Sequence, residues 1–286
     1  ADHHGDSAEL AVYPDLPAAQ RLALAVRSGR FREEGLRGRG PLGLGTEFES
    51  VRDYSPDDDV RQVNWRATSR LGRPMSNQYR TEQDRDLVCL IDAGRLMTAP
   101  LGGRTRLDVA LDAVSAVGLV ADAVGDRCGC VAFEDDVVRE LAPRRAGGAA
   151  LVRALFDLEA SAVDSDYELA FRRVGGRKRS LVLLFTDILE ETAARPLVEA
   201  VPVLGRRHVV AVASAADPDL ERALASAPRD AQDAREQVVA LEVLAGRGRV
   251  RRALAGTGAE VIEEEPGRLA TACVRAYLSA KSRARL

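Results

Sequence analysis

Leu87-Val-Cys-Leu-Ile-Asp92 is an apolar run of strand length closed by an acid, and the segment after it, Thr105 to Val124, carries Leu107, Leu111, Val114 and Val117 at three- and four-residue spacing. That spacing puts one apolar face on a helix, and the face packs on a sheet containing the run. The same alternation continues downstream. Strands are expected at Cys128 to Phe133 with a hairpin return Val137 to Leu141, at Ser180 to Asp187, at His208 to Ser214 and at Ala259 to Glu263. Helices are expected at Gly147 to Glu159, Tyr167 to Val174, Ala193 to Leu204, Asp217 to Ala225, Ala231 to Ala255 and Arg268 to Ser279. Joined by right-handed crossovers, these elements form a Rossmann-like, doubly wound, mainly parallel α/β sheet.

The rest of the composition narrows the function. With 286 residues, 46% of them hydrophobic and 30% charged, the chain is long and apolar enough for a sizeable core. A net charge of -3 argues against a nucleic-acid partner. No apolar run approaches the ~18 to 20 residues of a membrane span, so the chain reads as soluble and cytoplasmic. Because residue 1 is Ala, its start is read as a boundary inside a longer protein, which leaves open a tether to the inner face of a membrane through segments outside this chain. The cysteines, Cys89, Cys128, Cys130 and Cys273, form no C-x-x-C pair and read as buried free thiols. Of the histidines only His208 lies away from the terminus, so a Ser-His-Asp or Cys-His arrangement has almost no raw material.

Residues 1–86 lack this alternation and read as an arm before an α/β domain spanning 87–286. Within the arm, Ala18 to Val26 suits a short helix and the glycine-rich Gly35 to Gly45 a series of turns. The decisive stretch is Gly45-Thr-Glu-Phe-Glu-Ser-Val-Arg-Asp-Tyr-Ser-Pro-Asp-Asp-Asp-Val-Arg-Gln-Val-Asn-Trp-Arg-Ala-Thr-Ser-Arg-Leu-Gly-Arg-Pro74, dense in opposite charges. In extended backbone Glu47 and Glu49 share a face, and Asp57 to Asp59 can cap a turn and accept from nearby arginines. Two readings follow: a network of carboxylates with arginines such as Arg52, Arg61 and Arg70 that welds the arm to the main domain, or a Glu47, Glu49, Asp58, Asp59 cluster holding a metal for phosphate-ester or glycan hydrolysis. Trp65, Tyr54 and Phe48 are expected to pack the arm onto the main domain, since three aromatics among so many charges need apolar cover.

This stretch resembles the bacterial family called domain of unknown function 58, through Glu47, Phe48, Glu49, Arg52, Asp53, Tyr54, Pro56, Asp58, Asp59, Arg61, Trp65, Thr68, Arg70 and Gly72. It departs from the pattern at Asp57, where Gly is usual, at Asn64, where an Asp precedes the Trp, and at Ser69, where Ala is common. The resemblance implies a von Willebrand factor A-like domain and a partner or adaptor role beside a MoxR-type AAA+ ATPase, without a known reaction. Such domains hold Mg2+ through Asp-x-Ser-x-Ser after the first strand, a Thr from a second loop and an Asp from a third. Here Asp92 is followed by Gly94 and Leu96 in place of both serines, the second loop reads Ser165-Asp166-Tyr167, and the third, Phe185-Thr186-Asp187, fits. Asp92, Asp166 and Asp187 would share one cation, or Arg95 would take the cation's place, or the three are unrelated surface acids. The sequence leaves all three open. Gly43-Leu-Gly45 and the basic run at 176–179 are turns on this reading, and no phosphate-binding loop occurs.

Overall fold

The computed structural model describes residues 16–27, 47–55, 58, 60–80, 86–187, 191–225 and 227–282. Helix α1 (Leu16–Arg27) comes first, followed by the arm: strand β1 (Glu47–Asp53), the short helix α2 (Trp65–Leu71) and strand β2 (Met75–Arg80), with β1 and β2 forming an antiparallel hairpin. The main domain opens with β3 (Asp86–Asp92), a two-residue hairpin of β4 (Pro100–Leu101) and β5 (Arg104–Thr105), and α3 (Arg106–Ala123). Then follow β6 (Arg127–Phe133), β7 (Val137–Arg144), α4 (Gly147–Leu155), α5 (Tyr167–Gly175) and β8 (Ser180–Phe185). Helix α6 (Glu191–Gly205), β9 (Val209–Ala215), α7 (Pro218–Leu224), α8 (Ala231–Gly256), β10 (Glu260–Glu264) and α9 (Pro266–Ser282) complete it. The glycine-rich stretch Gly35 to Gly45 lies outside the described residues.

The strand order is β10-β9-β8-β3-β6-β7, parallel throughout except for β7, which returns antiparallel on β6. Both faces of the sheet are covered, and the period of two shows in the packing. Leu87, Cys89 and Ile91 of β3 face the layer of α1, α3, α4 and α9, while Val88 and Leu90 face that of α5, α6 and α8. Although it precedes the main sheet, α1 packs on α3 and buries Ala19 and Val26 in the same core. All four cysteines are free and buried, and burial pushes the Cys128 and Cys130 thiols up to about 12.

Helix α3 starts where its sequence says it should. Thr105 Oγ1 accepts from the Asp108 amide and Asp108 returns the bond to the Thr105 amide, a reciprocal cap. Its far end approaches α4 at a pair of glycines. A Cβ on Gly148 would sit 2.2 Å from the Gly118 carbonyl oxygen, while the Gly148 and Ala149 amides donate to Asp122. Gly148→Ala therefore forces the helices apart, and the expected loss is about 1–3 kcal/mol of stability, read from the urea midpoint.

At the opposite edge His208, between α6 and β9, is buried with neither ring nitrogen hydrogen-bonded. Burial pushes its imidazole below the ordinary value of 6.5, and Arg207 and Arg179 add to this while the Gly175 carbonyl opposes it. The unfolded chain therefore takes up this proton before the folded one does. Stability is fully present above the ordinary value and is lost as pH falls from 6.5 towards the depressed one. In His208→Phe this part of the slope, at most about 1.4 kcal/mol per pH unit, should vanish from a pH series of urea titrations.

Candidate functional site

From β3 the chain moves to β6 on one side, and after β7 it crosses to β8 on the other. The strand order thus reverses between β3 and β8, and the crevice outside their carboxyl ends is where open α/β sheets place ligands. Asp92 closes β3 on one wall, and Thr186 and Asp187 leave β8 on the other.

Asp92 is 1% exposed and its carboxylate is saturated. Oδ1 accepts from the Gly94 amide at 2.9 Å and from Ser165 Oγ at 2.5 Å, and Oδ2 from Tyr167 OH at 2.9 Å and Thr186 Oγ1 at 2.6 Å. Burial, reinforced by the Asp92 charge, holds the Tyr167 phenol well above its ordinary value, so it remains a donor. Gly94 explains part of this packing. A Cβ there would meet Ser165 Oγ at 2.1 Å, so the hydroxyl missing from the first loop is replaced in space by one from the second.

Asp187 is held by arginines. Arg247 Nη1 donates to its Oδ1 at 2.7 Å, and Arg106 Nε lies 3.1 Å from Oδ2 as an ion pair without hydrogen-bond alignment. Both guanidinium side chains are at least 95% buried. Arg247 also donates to Glu263 Oε1, Ser214 Oγ and the Ala215 carbonyl, and Arg106 to Ala215 and Asp217. Burial opposes the charge on Arg247, but Asp187 and Glu263 outweigh it and raise the guanidinium above its ordinary value. A chain of alternating charge results, Asp217, Arg106, Asp187, Arg247, Glu263 and Arg251, tying α7, α3, β8, α8 and β10 together. The crevice floor beside Met97, Thr186 and Asp187 encloses about 10 Å³, room for one water.

The sequence-level candidates therefore separate. Asp166 caps α5 by accepting from the Leu169 amide with Oδ1, and among the described residues no three His, Cys, Asp or Glu side chains gather in a way that could hold a metal. Arg95 does not take the cation's place: it is exposed and pairs with Asp164 at 2.9 Å. The reason is direction, since Arg95 opens a surface turn while Arg106 and Arg247 point inward from α3 and α8. With the lone pairs of Asp92 engaged and Asp187 neutralised, these residues do not fit a hard cation in this arrangement. Arg106, Arg247, Ser165 and Ser214 were not identified from sequence.

In the arm Arg52 bonds Asp58 at 2.5 Å and Arg73 pairs with Asp53 at 3.1 Å, both pairs lying within the arm rather than joining it to the main domain. Arg52 and the Ser55 amide hold the Asp58 carboxyl below its ordinary value, the amide contributing most. Asp59 and the side chains of Glu47, Glu49 and Phe48 lie outside the described residues. The aromatic seam is corrected: Trp65 is 71% exposed, because it occupies the first turn of α2 while Ala67 and Thr68 turn inward. Tyr54 is half-buried and its hydroxyl contacts the Asp58 carbonyl. Asn64, the departure before the Trp, is the N-cap of α2, its Oδ1 accepting from the Ala67 amide and its Nδ2 donating to Asn77. Capping needs only a side-chain oxygen, which Asn supplies as well as Asp. Arg61 and Arg70 are exposed, and Arg61 has a partner.

A mainly parallel sheet, covered on both faces, with an Asp after one central strand and Thr-Asp after its neighbour across the switch point, defines a doubly wound α/β domain. The chain belongs to the family described as Protein of unknown function DUF58, whose model matches residues 50–262. No curated protein sequence matches it. Among solved structures it is similar to the SpRpn10 VWA domain, at 14% identity and TM-score 0.42 over 67% of this chain and 94% of that one. It is also similar to the conserved hypothetical protein BatB from Bacteroides thetaiotaomicron, at 15% identity and TM-score 0.46 over 68% and 98%.

Removing one member of a buried ion pair strands the others. Asp187→Ala should cost about 3–5 kcal/mol by urea unfolding because Arg247 and Arg106 lose their shared counter-ion, and adding Arg247→Met should restore part of it.

Proposed function

We propose that this chain is a non-enzymatic docking module that engages a MoxR-type AAA+ ATPase through the loops around the carboxyl-end crevice, without a bound cation. The observation that carries this reading is the pairing of the acids. Asp187 lies between Arg106 and Arg247, Asp92 is saturated by four donors, and Asp58 is bonded by Arg52. A hydrolase using acids needs them unpaired in a cleft that admits substrate; in the crevice they are paired around about 10 Å³, far below the ~300 Å³ of a small ligand pocket, and in the arm Asp58 is taken by Arg52. The interaction role and the ATPase partner both rest on what the resemblance of the arm signature implies.

The ATPase partner proposed here places the module on the cytoplasmic side. Among the described residues no helix is long and apolar enough to cross a membrane. The test is a pull-down, in nucleotide-free buffer, of a purified MoxR-type ATPase from the same genome, in Mg2+ and in EDTA. Equal capture in both is expected. Loss of capture in EDTA contradicts cation independence, and no capture in either contradicts the partner.

A further inference from the structure

The arm carries a surface that the described residues leave open. Trp65 is 71% exposed, and Leu71 at 54% and Val60 at 66% accompany it on and just before α2. An indole so exposed forgoes several kcal/mol of burial and is characteristic of a contact surface. Arg66 and Arg70 stand four residues apart on the same side of this helix, both exposed, and among the described residues neither has a hydrogen bond or ion pair. Arg52 and Arg73, by contrast, are taken by Asp58 and Asp53. The result is an aromatic knob flanked by two unneutralised cations.

A surface of the opposite character lies at the carboxyl end of the main sheet. The β6–β7 turn and the loop between α4 and α5 expose Phe156 and Val163, each 40% exposed, beside Asp135, Glu159 and Asp166. Arg95 and Arg139 neutralise Asp164 and Asp157 there, but Asp135 and Glu159 have no ion-pair partner among the described residues. Apolar patches thus sit among unmatched charges of opposite sign on the two surfaces, the complementarity that steers and registers an interface.

Topology favours two molecules over one. Strand β3 leaves the arm at its Asp86 end and delivers the acidic face beyond its Asp92 end, roughly 20 Å away at ~3.3 Å per residue. The principal packing of α2 within its own chain is on β2. We propose that the Trp65, Arg66, Arg70 knob of one copy docks on the Asp135, Glu159 face of a second copy, a head-to-tail contact that builds rings or open chains.

Two double variants test this, each checked by circular dichroism for an unchanged fold. Arg66→Glu with Arg70→Glu makes the knob acidic, and Asp135→Arg with Glu159→Arg makes the face basic. In sedimentation velocity from micromolar to sub-millimolar concentration, the wild type should associate at low salt, less so at high salt. Each double variant alone, and Trp65→Ala, should associate at least about tenfold more weakly. An equimolar mixture of the two double variants should recover association, because each knob then meets a face of opposite sign. A wild type that stays monomeric, or a mixture that fails to associate, overturns the proposal. So does loss of binding to anionic phosphatidylglycerol vesicles in the knob variants while the wild type stays monomeric, which assigns the knob to a lipid surface. No ATPase is present, so the outcome is independent of the docking reading above.

Discussion

Everything at the carboxyl end of the sheet depends on one buried carboxylate held between two guanidinium groups. Asp187 at the end of β8 would be untenable in so apolar a setting without a counter-charge, and Arg106 from α3 and Arg247 from α8 supply it from opposite faces of the sheet. The two arginines are in turn held by Asp217, Glu263, Ser214 and the Ala215 carbonyl, so the charge is spread over five elements. An arrangement of this kind adds little net stability over an apolar core, but it fixes how α3, α8 and β8 meet. The neighbouring Asp92 is satisfied differently, by hydroxyls and an amide alone.

This division changes what the crevice can do. A hard cation in this crevice would gather the acids and keep a coordination position open to a further oxygen. Here arginine supplies the positive charge from within, and it is covalently part of the chain and permanently charged. The crevice is thereby nearly filled, about 10 Å³ remaining beside Met97, Thr186 and Asp187. The loops around it are acidic and partly apolar, whereas the arm is arginine-rich with an exposed tryptophan, so these two surfaces differ in sign.

Much of the fold was legible because a buried parallel strand and its covering helix each leave a local pattern. Leu87 to Asp92, Ser180 to Phe185 and the α3 periodicity give two strands and a helix from local sequence, whereas Asp92, Thr186 and Asp187 were singled out through the family resemblance and the strand order that sets β3 beside β8 leaves no local trace. The arginines left no such trace. Arg106 looks like a surface residue in the first turn of a helix, and Arg247 lies 60 residues from Asp187, in a long helix whose register on the sheet no local pattern fixes. Arg95 was the candidate because it is near Asp92 in sequence, but the chain turns outward there and commits it to Asp164. Trp65 misled for a related reason. Its aromatic character implied burial, yet its place in a seven-residue helix, set by the Asn64 cap, turns it to solvent.

The central claim, that guanidinium groups occupy the position a cation would take, is tested most directly by diffraction from crystals soaked in Mn2+. The account predicts no anomalous peak in the crevice between Asp92 and Asp187, with Arg247 still bonded to Asp187. A peak about 2.2 Å from oxygens of Asp92, Thr186 or Asp187, with Arg247 displaced, would contradict it.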